Sequence, residues 1–302
     1  MSQSALTVSF PVRDYDLAAT LTSGQAFRWR RCGDAWEGVV AGRWVKLHQE
    51  ENRIVAWTAE AQRDWDWLQD YLQIGVDLEE VLATFPNDDA MRASVTACRG
   101  LRLLRQEPWE CLASFILSST KQIVQIQQIV RALCECFGSQ VAAPAAHDAP
   151  YAFPTPEQVA SAAERDLRAC KMGFRAPNLL ATAKMVAAGE IDLERLADQD
   201  CETARTALVQ LPGVGEKIAN CVLLFAYGFQ DAFPVDVWVR KALLQLYFPR
   251  RRPSPQRLER FIRTYFGPNS GYAQQYLFHY MRTQMPRTRK KAVDKRRRKA
   301  AQ

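Results

Sequence analysis

The chain has 302 residues, 48 % hydrophobic and 10 % aromatic, which is enough apolar side chain for packed cores and excludes wholesale disorder; about 100–200 residues per domain predicts two domains or three. No run of about 18 apolar residues occurs, and Met1-Ser2-Gln3-Ser4-Ala5 has neither a basic start nor a long apolar segment, so no membrane span or secretion signal is expected and the chain is read as intracellular. The net charge is +7, but residues 287–302 hold nine Lys and Arg against Asp294, which leaves −1 on the other 286 residues. A uniformly basic surface is thereby excluded, and contact with polyanions falls to local patches and to this tail.

In chain order, residues 5–58 predict a small antiparallel sheet. Arg43-Trp44-Val45-Lys46-Leu47 alternates, Gly33-Asp34 and Ala41-Gly42 are turn-like, and Ile54-Val55-Ala56-Trp57 is a further short strand. Helical spacing begins near Gln62 with Trp65, Leu68 and Leu72, and Pro86-Asn87-Asp88-Asp89 breaks it. The domains are therefore expected at 1–88 (sheet plus helix), 89–286 (helical) and 287–302 (a disordered basic tail). Ile123, Ile126, Val130, Leu133 and Phe137 recur at steps of three and four, with Gly138 at the position of a C′ glycine. Thr155-Pro156-Glu157-Gln158 has the form of a capped helix start, Arg250-Arg251-Arg252 lies on a loop before a helix that Ser254 can cap, and the last helix follows Gly267-Pro268-Asn269-Ser270-Gly271. Eight scattered cysteines and three histidines suggest neither a disulfide frame nor a zinc site.

Leu211-Pro212-Gly213-Val214-Gly215-Glu216-Lys217 is the most informative stretch. It joins a helix ending near Val209 to an apolar helix. Its two glycines permit positive φ, and the amides of Val214, Gly215 and Glu216 are expected to point outward at a helix N-terminus, where an anion such as a phosphate is favoured. Phe233-Pro234-Val235-Asp236 ends 19 residues after Lys217, and Asp236 also suits the N-cap of the next helix.

Together these segments resemble the helix-hairpin-helix/Gly-Pro-Asp superfamily of DNA glycosylases, and a Lys directly after the hairpin resembles its bifunctional members. The resemblance implies a base-excision enzyme in which Lys217 attacks C1′ and forms a Schiff base that undergoes β-elimination, while Asp236 stabilises the positive charge building on the sugar. A lysine with an ordinary pKa near 10.4 is mostly charged, and the first turn of an apolar helix disfavours that charge.

Further segments resemble the 8-oxoguanine DNA glycosylases of eukaryotic type: Ser23-Gly24-Gln25-Ala26-Phe27-Arg28-Trp29, the stretch from Gly100 to Leu112, Ser114-Phe115-Ile116-x-Ser118-Ser119, and Gly271-Tyr272-Ala273-Gln274-Gln275-Tyr276-Leu277-Phe278. This implies that the Gly24 carbonyl accepts the N7–H that distinguishes 8-oxoguanine from guanine. It also implies that Gln274 reads the Watson–Crick edge of an extruded base, which stacks between Phe278 and Cys221. Thr120-Lys121-Gln122 stands where the family has an Asn run entering the vacated site. Gln125 replaces an Arg expected to contact the opposite cytosine, Phe174-Arg175 matches a Tyr-Arg wedge pair, and Trp238 replaces a His. With Arg175 as the one remaining arginine donor, relaxed selectivity for the base opposite the lesion is expected.

The expected fold class is therefore α+β, an N-terminal antiparallel sheet domain followed by a helical helix-hairpin-helix domain. The expected partner is double-stranded DNA containing oxidised guanine, bound by a monomer, with no membrane. No cofactor is expected. No Cys follows Cys221, against the iron–sulfur cluster of the endonuclease III branch; the resemblance implies only a structural monovalent or calcium ion on the carbonyls of Val209, Leu211 and Val214. The alternatives are a related glycosylase for an alkylated purine or a formamidopyrimidine, and a non-catalytic helix-hairpin-helix DNA-binding protein.

Overall fold

Alternating side chains build the sheet. In the computed structural model, which describes residues 5–144, 150–250 and 252–284, the strands β1 (Ala5–Pro11), β2 (Arg30–Cys32), β3 (Ala35–Val40), β4 (Arg43–Glu50) and β5 (Arg53–Gln62) pair antiparallel in the order β1-β5-β4-β3-β2. The predicted tail 287–302 and Arg251 lie outside the described residues. Ala41 and Gly42 both take positive φ (46° and 71°), the turn geometry that matches strand twist in a two-residue hairpin. Val45, Leu47, Ile54 and Ala56 face one way and are wholly buried, closed over by Leu68 and Leu72.

The expected all-strand reading of residues 5–58 is corrected by α1 (Leu17–Thr22), which buries Leu17, Thr20 and Leu21 and is capped by Asp16 accepting from the Ala19 amide at 2.8 Å. Six residues are too few for helical spacing to stand out in sequence. The helix expected from Gln62 likewise begins later, because β5 runs to that residue; α2 (Asp66–Leu72) and α3 (Leu78–Ala83) follow.

The helical part comprises α4 (Asp89–Cys98), α5 (Pro108–Ser118), α6 (Ile123–Phe137), α7 (Pro156–Ala160), α8 (Glu164–Leu167), α9 (Ala176–Ala187), α10 (Cys201–Val209), α11 (Glu216–Val222), α12 (Val237–Leu246), α13 (Pro255–Tyr265) and α14 (Ser270–Gln284). Trp109 and every residue from Cys111 to Leu117 of α5 are buried, which makes it the central helix. The capped starts at Thr155 and Ser254 form as expected. Among the described residues no helix is long and apolar enough to cross a membrane.

Two of the connections between the sheet and the helices are largely buried. The stretch 100–106 has no regular structure, yet most of it is buried. The Gln25 side chain donates to the carbonyls of Thr20 (2.9 Å) and Arg102 (2.8 Å) and accepts from the Leu104 amide (2.8 Å). Arg102, 2 % exposed, donates to the carbonyls of Asp14 and Arg13. Leu104 thus joins the sheet core while Phe27 joins the helical one. In addition, the largely buried Arg28 pairs with Glu110 of α5 at 3.2 Å and donates to the Tyr151 carbonyl.

Gly138 corrects one local expectation. It ends α6 at φ −81°, ψ 158°, not in the left-handed region of a C′ glycine. It is needed for space instead, since a Cβ there would run into the Ala152 carbonyl oxygen. Gly138→Ala is expected to lower stability by about 1–3 kcal/mol, the usual range for overpacking; an unchanged denaturation midpoint would refute this account.

Candidate active site and nucleic-acid interface

The hairpin forms between α10 and α11. Gly213 takes φ +79°, and a Cβ there would lie 2.8 Å from the Asn178 Cβ of α9, so both conformation and space require glycine. Gly215 corrects the expectation of two positive-φ glycines. It is the extended N-cap of α11 at φ −100°, with open space where a Cβ would stand. The expected set of outward amides is also revised. The Val214 amide donates to the Leu211 carbonyl at 3.0 Å, whereas those of Gly215, Glu216 and Lys217 have no backbone acceptor among the described residues. These are the free donors of a helix start. The carbonyls of Val209 and Val214 accept no backbone bond across the turn, and that of Leu211 accepts only the one from Val214. A set of neutral carbonyl oxygens suits a hard monovalent or calcium ion.

Lys217 occupies the first turn of α11, half-buried, its Nζ 5.0 Å from the centre of the Phe115 ring and 3.5 Å from Ser118 Oγ. Phe115 is fixed by stacking on Phe225 at 5.6 Å and by an edge contact with Phe27, so the amine rests on an immobile apolar floor. Asp236 N-caps α12, its Oδ1 accepting from the Val239 amide at 2.7 Å. Burial pushes its carboxyl pKa up, against the opposing pull of the Val239 amide and of Lys217. The buried Cys221, one helical turn after Lys217, lies within the field of both groups; burial first pushes its thiol up to about 11, Lys217 pulls it down and Asp236 raises it. The structure therefore brings the predicted amine, carboxylate and thiol together.

Gly24, Gln274 and Phe278 also converge. Gly24 takes φ +85°, and a Cβ there would lie 2.8 Å from Ile123 Cδ1 and 3.3 Å from the Phe278 ring. Gln275 ties α14 to this turn by donating to the Ser23 carbonyl at 3.2 Å, and Arg282 donates to that of Thr22. Gln274 precedes Phe278 by one turn and is 3 % exposed, and its Oε1 is buried without a hydrogen-bond partner. The Gly24 carbonyl likewise accepts no backbone hydrogen bond among the described residues. A buried acceptor left without a donor is costly, so Gln274 Oε1, with the half-buried Gly24 carbonyl open beside the same aromatic ring, points to a ligand that supplies donors.

The remaining predicted contacts lie on the surface at helix starts. Thr120 is exposed at φ +58°, and Lys121 follows half-buried. Gln122 begins α6, with its amide held at 3.1 Å by the side chain of Gln125, which gives that residue a capping role. Phe174 is 61 % exposed, and so are Val237 (82 %) and Trp238 (38 %) beside Asp236. Arg175 is the exception. It is 3 % exposed and donates to the carbonyls of Ser119 and Met172 and to Thr120 Oγ1, so in this structure its guanidinium is turned to its own chain. Sequence reading gave no role to Phe115 and Ser118, which stood only within a resembling segment, nor to Val237, whose exposure only the structure shows.

Comparison with known proteins fits this arrangement. Residues 7–112 match the family described as 8-oxoguanine DNA glycosylase, N-terminal domain, and residues 113–268 that described as HhH-GPD superfamily base excision DNA repair protein. A probable N-glycosylase/DNA lyase of Methanothermobacter thermautotrophicus is 30 % identical over 90 % of this chain and 95 % of its own, and the N-glycosylase/DNA lyase OGG1 of Arabidopsis thaliana 28 % identical over 89 % and 79 %. Among solved structures, an 8-oxoguanine glycosylase/lyase of Clostridium acetobutylicum, complexed with double-stranded DNA containing cytosine opposite 8-oxoguanine, superposes with a TM-score of 0.84 at 30 % identity, covering 91 % of this chain and 98 % of that one. MBOgg1 in complex with a low-affinity DNA ligand gives a TM-score of 0.88 at 32 % identity, over 93 % and 97 %.

The electrostatics of Asp236 carry a prediction. A carboxyl whose folded pKa is raised weakens the fold when ionised, and this cost disappears as pH falls through that pKa. Asp236→Asn keeps the N-cap acceptor without the charge. The variant is expected to melt above the parent at neutral pH, with the gap closing as pH is lowered; a variant that melts lower, or by a margin independent of pH, would contradict it.

Proposed function

The chain belongs to the 8-oxoguanine DNA glycosylases of the HhH-GPD superfamily of base excision repair proteins, and from that premise we propose that Lys217 and Asp236 carry out its glycosylase and lyase chemistry on 8-oxoguanine in duplex DNA. Lys217 Nζ attacks C1′ as the N-glycosidic bond breaks, and its lone pair forms the new C–N bond while the base departs with the electrons of the old one. The Asp236 carboxylate faces the positive charge that develops on the sugar, and partial desolvation strengthens that interaction. The nitrogen gives one proton to the departing base; its lone pair then forms the C=N bond as C1′–O4′ breaks and O4′ takes up a proton from water, giving the protonated Schiff base. Loss of a C2′ proton to solvent then forms the C2′–C3′ double bond and expels the 3′-phosphate.

The observation that carries the substrate is the pair of unpartnered acceptors, the buried Gln274 Oε1 one helical turn before Phe278 and the carbonyl of Gly24, whose turn lies against the Phe278 ring. 8-Oxoguanine presents N1–H and N7–H donors; guanine has no proton on N7, and a neutral alkylated adenine has none on N1. In this reading the flipped base stacks on Phe278 with Cys221 toward its other face. The free amides at Gly215 and Glu216 grip a backbone phosphate. A monovalent or calcium ion on Val209, Leu211 and Val214 would add positive charge shared with that phosphate. Phe174 fills the vacated stack, with Thr120, Lys121, Gln122 and Trp238 along the strand. The enzyme works as a monomer, without an iron–sulfur cluster or other cofactor.

Borohydride trapping on duplexes with 8-oxoguanine opposite each of the four bases tests this. A covalent adduct is expected, lost in Lys217→Gln and formed about 10²-fold more slowly in Asp236→Asn. With Arg175 bonded inward and Gln125 in place of a second arginine, adduct yields opposite A and C should differ by less than about tenfold. An adduct that persists in Lys217→Gln overturns the assignment of the nucleophile, and trapping only on an alkylated purine or a formamidopyrimidine overturns that of the lesion. Lesion-independent binding with no adduct would mark a non-catalytic DNA-binding protein. Deleting residues 287–302 should weaken binding to all DNA and flatten its salt dependence; an unchanged slope removes the tail from the interface.

A further inference from the structure

Arg175 is a buried guanidinium whose hydrogen bonds span two distant segments. Its Nε donates to the Ser119 carbonyl at 2.9 Å and its Nη2 to Thr120 Oγ1 at 2.7 Å and again to Ser119, while Nη1 donates to the Met172 carbonyl at 3.2 Å. Its guanidinium carbon lies 4.2 Å from the centre of the exposed Phe174 ring. The loop it holds needs holding, because Thr120 stands at φ +58°, a conformation that costs a branched residue energy.

Ser118, the last residue of α5, leads directly into this loop. Its hydroxyl donates to the Phe115 carbonyl at 2.7 Å, which leaves the oxygen lone pairs for Lys217 Nζ at 3.5 Å. A continuous chain of contacts therefore runs from the Phe174 ring through Arg175, Ser119 and Thr120 to Ser118 and the amine. We propose that Arg175 is a positioning residue for Lys217: it fixes the 118–120 loop so that the Ser118 hydroxyl orients the amine, and it ties that orientation to the placement of Phe174. The proposal rests on the reading of Lys217 as nucleophile. An amine donating one N–H to a fixed acceptor has its remaining directions set, and a misplacement of about 1 Å can cost about 10² in rate.

The test uses the full chain and duplexes carrying a preformed abasic site opposite each of the four bases, so that trapping reports on the amine and not on base recognition. Arg175→Lys keeps the charge but loses the planar fork. At saturating DNA it should trap about tenfold more slowly opposite all four bases alike, with little change in Kd. Ser118→Ala should reproduce the defect, and the double variant should be no slower than the worse single one, as for residues acting through one path. Thr120→Val removes one acceptor, leaves Arg175 in place, and should give a smaller defect. That variant and Ser118→Ala keep the proposal open to refutation if Arg175→Lys does not fold. Unchanged trapping, additive defects, or a shift in preference among opposite bases would overturn it; the last would mean that Arg175 leaves its bonds to read DNA. Trapping that survives Lys217→Gln would instead remove the nucleophile reading beneath it.

Discussion

One buried amide holds the two halves of the site in register. The Gln25 side chain spends its donors on Thr20, Ser23 and Arg102 and its acceptor on Leu104, and its own carbonyl accepts from Gln106 at 2.9 Å. Each such bond contributes about 1 kcal/mol net, and a member left unpaired costs more than that, so a satisfied network of this kind is rigid. Its consequence is positional. Gly24 lies between Ser23 and Gln25, so its strained turn cannot relax independently, and α14 is tied to the same turn through Ser23. The sheet domain thus delivers one acceptor to the pocket and α14 delivers the other. The glutamine between Gly24 and the sheet is as necessary to that placement as the glycine itself.

The working surface is assembled from helix starts. Lys217 is in the first turn of α11, Asp236 caps α12, Gln122 caps α6 and Arg175 immediately precedes α9. Helix N-termini carry unpaired N–H groups and a partial positive charge. A face built from them attracts phosphates without needing an excess of lysine and arginine. This accounts for a body that sums to −1 outside its last 16 residues and yet is shaped to hold a polyanion. The aromatic and aliphatic side chains exposed on that face, Phe174, Val237 and Trp238, suit insertion and stacking more than charge pairing.

Most of this was legible in the sequence, and the exceptions have physical causes. Strand alternation, the α6 spacing and the capped helix starts are local rules, and they appear where expected. The hairpin and the Pro-Val-Asp segment pointed to Lys217 and Asp236 through their resemblance to a known superfamily, and the structure places both at helix starts. Helix α1 escaped notice because six residues hold less than two full turns. Gly138 and Gly215 looked alike as conformational glycines, but one is needed for clearance from Ala152 and the other needs neither space nor positive φ. Sequence shows that a glycine is present, not which of its properties is used. Ser118 escaped for a related reason, since its role arises from a loop conformation set by an arginine over 50 residues away.

That distance also explains why single positions mislead here. Gln125, considered alone, is a lost contact to an opposite base; in the structure its side chain closes the α6 cap through Gln122. Thr120 is short and hydroxylated where a longer amide would reach outward, and its oxygen turns inward to Arg175. Arg175 in turn satisfies inward acceptors and ends buried. The three residues form one consistent exchange, in which side chains that could reach outward are used to brace the loop beside Lys217. A loop fixed in this way keeps the amine in place whatever base lies opposite, whereas a loop completed by contacts to one particular base depends on finding it. On the proposed reading of Lys217, relaxed pairing and a preformed amine would follow from the same set of bonds.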